Sequence, residues 1–68
     1  MSIISDNIRF LRKQKGLTQE QFANSIGIKR SLLGAYEEGR AEPGLQTLQA
    51  IAKLVELSVD VLIGQALT

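Results

Sequence analysis

Gln19-Glu20-Gln21-Phe22-Ala23-Asn24-Ser25-Ile26-Gly27-Ile28-Lys29-Arg30-Ser31-Leu32-Leu33-Gly34-Ala35-Tyr36 is the stretch that decides the fold. Phe22, Ala23 and Ile26 mark an apolar helical stripe, and Thr18 followed three residues later by Gln21 has the form of a capping box. Together they place a helix over about residues 19–26. Gly27 ends it, because a residue without a Cβ takes the positive φ that reverses the chain. Between Ile26 and Leu32 lie only Gly27, Ile28 and three polar residues, so a second helix, over about 30–38, follows a very short turn and crosses the first steeply. A small side chain is needed where the two backbones come closest, and Ala23 supplies it. Ile28 and Leu33 then lock the second helix against the first, and Gly39 stops it. The start of that helix at Lys29 lacks the usual Ser or Thr cap.

Working outward, Ile4, Ile8 and Leu11 at i, i+4 and i+7 form one face of a helix over about 3–15, ending where Lys13 and Lys15 meet Gly16. Downstream, Pro43 forbids helix at Glu42, which makes residues 40–44 extended. Leu48, Ile51, Ala52 and Val55 trace the buried face of a helix over about 45–55, and Ser58 caps a short last helix with Val59, Leu62 and Ile63. Phe10 lies seven residues after Ile3 on a stripe outside the Ile4 face, which the segment around Leu67 is expected to cover. Phe10, Phe22 and Tyr36 are the only aromatic residues and continuous Val/Ile runs are lacking, so strands have little to build from. The expectation is an all-α, five-helix bundle forming one domain over residues 1–68.

Several classes of function are excluded early. The chain has no Cys and no His, hence no disulfide framework and no zinc site, and neither a metal nor a cofactor is expected. Asp6 and Asp60 sit at helix starts, and a Ser31/Lys29 pair on an exposed helix has nothing to desolvate it, so an enzyme is not expected. The apolar 44% is dispersed, with no run near the roughly 20 residues that span a bilayer, and the reading is a soluble cytoplasmic protein without membrane contact. The net charge of +1 favours no partner, but its distribution does. Residues 1–40 hold seven basic against four acidic side chains, a net of +3, and residues 41–68 hold one against three, a net of −2. A nucleic-acid footprint therefore belongs to the amino-terminal half.

At these residues the sequence resembles the helix-turn-helix of the Cro/phage-repressor family, also called the xenobiotic response element family. The likeness runs from Asn7-Ile8-Arg9-Phe10-Leu11-Arg12 through Gly16-Leu17-Thr18-Gln19-Glu20-Gln21 and Glu37-Glu38-Gly39-Arg40 to Pro43 and Thr47-Leu48. It implies a lambda-repressor-like five-helix bundle and sequence-specific binding of double-stranded DNA, usually by a two-fold dimer on a palindromic operator. A transcriptional regulator follows, with repression favoured over activation, a weak homodimer as the expected state, and an additional protein partner or an effector domain elsewhere left open.

The candidate contacts follow from the motif. A helix fits the major groove and reads base edges with its exposed amino-terminal side chains, while the preceding helix turns its first N–H groups towards a phosphate. Lys29, Arg30 and Ser31 fall at that start, and Ala35 one turn later is expected to face the same way, within reach of a thymine methyl. Arg30 is the best candidate for guanine, since its fork matches O6 and N7. Thr18, Gln19, Lys29, Tyr36 and Arg40 are the phosphate candidates, Gln19 and Arg40 because they resemble family phosphate contacts. Lys29 has ordinary surface charge as a rival reading, Gln19 a solvated first-turn role, and Tyr36 a place in the core. Arg12 and Glu37 occupy positions that in the family often hold a buried ion pair. Gly34, costly inside a helix by roughly 1 kcal/mol, suggests close approach of another backbone or a tolerated surface glycine. The rival function is a protein-interaction module on a helix-turn-helix scaffold that has lost DNA readout.

Overall fold

The computed structural model describes residues 2–67. Its helices are α1 (Ile3–Gln14), α2 (Gln19–Ile26), α3 (Arg30–Glu38), α4 (Leu45–Val55) and α5 (Val59–Gly64), with no strand among the described residues. The ends lie where the local chemistry puts them. Thr18 and Gln21 close the capping box of α2 from both sides, at 3.1 and 2.9 Å, and Ser58 accepts the Val61 N–H at the start of α5. A second capping box opens α1, where Ser2 and Ser5 bond each other's backbone N–H groups. Helix α1 stops one residue short of the expected limit, with Lys15 as its cap and Gly16 just beyond. The start of α3 at Lys29 carries no side-chain cap, as expected, and neither does that of α4 at Gly44.

One core joins the five helices. Ile8 and Leu11 of α1, Phe22 and Ala23 of α2, Leu33 and Tyr36 of α3, Ile51 and Ala52 of α4 and Leu62 of α5 are all buried and form one cluster. Leu48 and Val55, expected at the buried face of α4, are only half-buried. Ala23 has no exposed surface, so a larger side chain there would have no room in the packed core. Gly27, at φ 75° and ψ 31°, turns the chain, and the Ile28 N–H returns 3.0 Å to the Ala23 carbonyl.

The carboxy-terminal segment is tied to α1 by a single side chain. Asn7 is buried, donates from Nδ2 to the Leu62 and Gln65 carbonyls at 2.9 and 2.6 Å, and accepts the Leu67 N–H on Oδ1 at 3.0 Å. Leu67 and Phe10 are both half-buried against the core, while Ile3 remains 44% exposed. Glu56 caps α4 in the left-handed conformation, at φ 58°.

Candidate nucleic-acid interface

The amino-terminal turn of α3 stands open. Lys29, Arg30 and Ser31 are exposed, whereas Leu33, Tyr36 and Glu37 point their side chains into the bundle. The rigid base for this turn is a polar cluster linking three helices. Arg12 of α1 donates from Nε to Glu37 Oε2 at 2.7 Å and from Nη2 to Oε1 at 3.1 Å, a fork-on-carboxylate contact with fixed geometry. Its Nη1 reaches the Leu17 carbonyl at 2.9 Å, and Gln19 at the start of α2 donates from Nε2 to Glu37 Oε1 at 3.2 Å. Glu37 is only 3% exposed, and its charge is answered there by a guanidinium and an amide. No buried side-chain nitrogen or oxygen among the described residues lacks a partner.

Four of the residues singled out by the sequence are placed as follows. Ala35 does not stand open beside Ser31: it is 8% exposed, and the turn after α3 folds back so that the Arg40 and Ala41 N–H groups meet its carbonyl. It is not a free methyl awaiting a base. Tyr36 is 6% exposed and belongs to the core cluster, the place in the core that the sequence offered beside a phosphate contact. Gln19 is held by Glu37 instead of extending into solvent. At Gly34 a Cβ would meet only Gln19 Oε1 within this chain, at 3.9 Å.

Thr18 keeps its role open. Its oxygen accepts the Gln21 N–H, which leaves the hydroxyl proton available as a donor beside the uncapped first N–H groups of α2. Arg40 is exposed, and its Nε donates to Glu38 Oε1 at 2.6 Å.

Two residues enter that sequence reasoning did not select. Arg9, Arg12, Gln19, Glu37 and Glu38 line one polar hollow of about 280 Å³ between the end of α1, the start of α2 and the end of α3. Arg9 contributes a cation with no carboxylate within 4.0 Å among the described residues. Its i, i+3 spacing to Arg12 on α1 is the signal in the sequence that places the two side chains on one face. Leu32, next to Ser31, is 38% exposed.

A short helix held by one buried ion pair, crossing a second helix at a glycine turn with its basic start exposed, defines a helix-turn-helix unit of the lambda-repressor type. The chain belongs to the helix-turn-helix family of Cro and phage-repressor type, whose model matches residues 8–62. That family comprises transcriptional regulators, not enzymes. The uncharacterized HTH-type transcriptional regulator YqaE of Bacillus subtilis is 41% identical over 61 residues, covering 90% of this chain and 53% of the relative. The cryptic phage CTXphi transcriptional repressor RstR of Vibrio cholerae is 35% identical over 66 residues, 97% of this chain and 60% of the relative. The chain thus spans little more than half the length of these curated relatives. Among solved structures, the P22 c2 repressor in complex with a synthetic operator superposes with a TM-score of 0.86 at 23% identity, covering 94% of this chain and 97% of that one, and shares the fold.

Proposed function

We propose that this chain binds double-stranded DNA sequence-specifically, placing the start of α3 in the major groove, and acts as a cytoplasmic transcriptional repressor. The observation that carries the reading is the exposed run Lys29-Arg30-Ser31 on a helix braced from behind by the Arg12–Glu37 pair. Reading a base edge requires a side chain whose backbone does not move when the donor is aimed, and the brace provides that. Arg30 takes a guanine through its fork and Ser31 a neighbouring base edge. Lys29, Thr18, the start of α2 around Gln19, and Arg40 meet phosphates. The similarity to RstR, named a transcriptional repressor, favours repression.

One such unit reaches one half-site, so two copies on a palindromic operator, about one helical turn apart, complete the complex. Ile63, 43% exposed, with half-buried Val59 and Val61, gives the acidic end an apolar surface suited to a weak self-association that DNA makes firm. Selection of bound sites from a random duplex pool tests the reading and returns the half-site; a failure to enrich any sequence, with no duplex bound at low salt, overturns it. The protein-interaction alternative draws on the exposed Leu32 and Leu45, and binding insensitive to salt is its signature.

A further inference from the structure

Glu38 is placed where a carboxylate works against DNA. It ends α3 seven residues after Ser31, and both side chains are exposed while Leu33 and Glu37 are buried. Its side chain is 61% exposed and takes Arg40 Nε at 2.6 Å. It also lines the polar hollow with Arg9, Arg12 and Gln19. Within that hollow the Glu37 charge is already matched by Arg12. Arg40, a cation that would attract a phosphate, is thus held by an internal anion, Glu38.

We infer that Glu38 is an intramolecular stand-in for a DNA phosphate: it occupies Arg40 in the free protein and must surrender it when the backbone of the duplex arrives. Binding at this corner exchanges one anion for another, and the domain neutralises about one phosphate fewer than its count of basic residues implies. The carboxylate thus sets an upper limit on affinity for any duplex, and readout by the start of α3 supplies the difference between duplexes. This inference rests on the DNA-binding reading above.

The test is a binding titration of wild type, Glu38→Gln, Arg40→Gln and the double variant against an enriched duplex and a scrambled one, across salt. Both positions are exposed, and unchanged circular dichroism confirms that folding is kept. Glu38→Gln is expected to bind both duplexes about five- to tenfold more tightly near 0.1 M salt, with a salt slope steeper by about 0.9 per protomer. Arg40→Gln is expected to weaken binding, and the double variant to return close to wild type, because removing both charges removes the exchange. If Glu38→Gln binds equally or more weakly while wild type binds DNA, Glu38 orients Arg40 rather than competing for it, and the inference fails alone. If wild type binds neither duplex at low salt, the DNA-binding reading fails and takes this inference with it.

Discussion

Arg12 and Glu37, twenty-five residues apart, meet through two hydrogen bonds of 2.7 and 3.1 Å that tie α1 to the helix carrying the candidate reading surface. The pair is enclosed, at 13% and 3% exposure, so its worth depends on both partners being present. Removing one charge leaves the other without its counter-ion in a poorly hydrated place. Glu37→Gln is expected to lose about 3 to 5 kcal/mol, most of what a chain of this size holds at about 0.05–0.15 kcal/mol per residue. Replacing both, as in Arg12→Met with Glu37→Leu, is expected to recover more than half of that loss. Urea denaturation midpoints check it, and an unchanged midpoint for Glu37→Gln removes the pair from the account.

Asn7 holds the end of α5 by three hydrogen bonds, two to carbonyls and one from the Leu67 N–H. Asn7→Ala leaves the buried Leu62 carbonyl without its partner and frees the part-buried Gln65 and Leu67 groups, at an expected cost of about 1 to 3 kcal/mol. Hydrogen exchange gives the local readout: the Leu67 amide is protected in wild type and exchanges freely in the variant. Protection that survives the substitution contradicts the latch.

Gly34 lies inside α3 with ordinary space around the position of a Cβ, the nearest atom being Gln19 Oε1 at 3.9 Å. Gly34→Ala is expected to raise stability by about 0.5 to 1 kcal/mol, because alanine loses less backbone freedom on folding. A thermal scan that shows a lower midpoint contradicts the geometry described.

Glu56 takes a backbone conformation that suits glycine, with φ at 58°. Glu56→Gly is expected to gain about 0.5 to 1 kcal/mol, the relief of the left-handed strain less the added freedom of the unfolded chain. Glu56→Ala, which keeps the strain, provides the control and should show no comparable gain in midpoint.

The order and limits of the five helices were legible because their signals are local. Apolar residues at helical spacing, the Thr18–Gln21 box, and Gly27 with Ala23 at the crossing each act within a few residues. Exposure on α3 was harder to read. Helical spacing sets Ala35 beside Ser31, but spacing alone does not show that Ala35 is buried while Ser31 is exposed. Leu32 and Leu33 are chemically alike, and only the packing of α1 and α2 decides that the second is buried. The partners of Asn7 lie between fifty-five and sixty residues away, and no local pattern announces such a bond. The Arg12–Glu37 pair was legible through family resemblance, not through spacing.

In the proposed complex Arg30, at the open start of α3, reads a base while Lys29 beside it holds a phosphate. The most direct measurement is a titration of wild type, Arg30→Ala and Lys29→Ala against the enriched operator and a scrambled duplex at several salt concentrations. Arg30→Ala is expected to lose about 1 to 3 kcal/mol per half-site on the operator, with little loss on the scrambled duplex, so that preference collapses at one base pair. Lys29→Ala is expected to weaken both duplexes alike and make the salt slope shallower by about one per protomer. Full operator preference retained by Arg30→Ala, with preference lost instead by Lys29→Ala, would contradict the account.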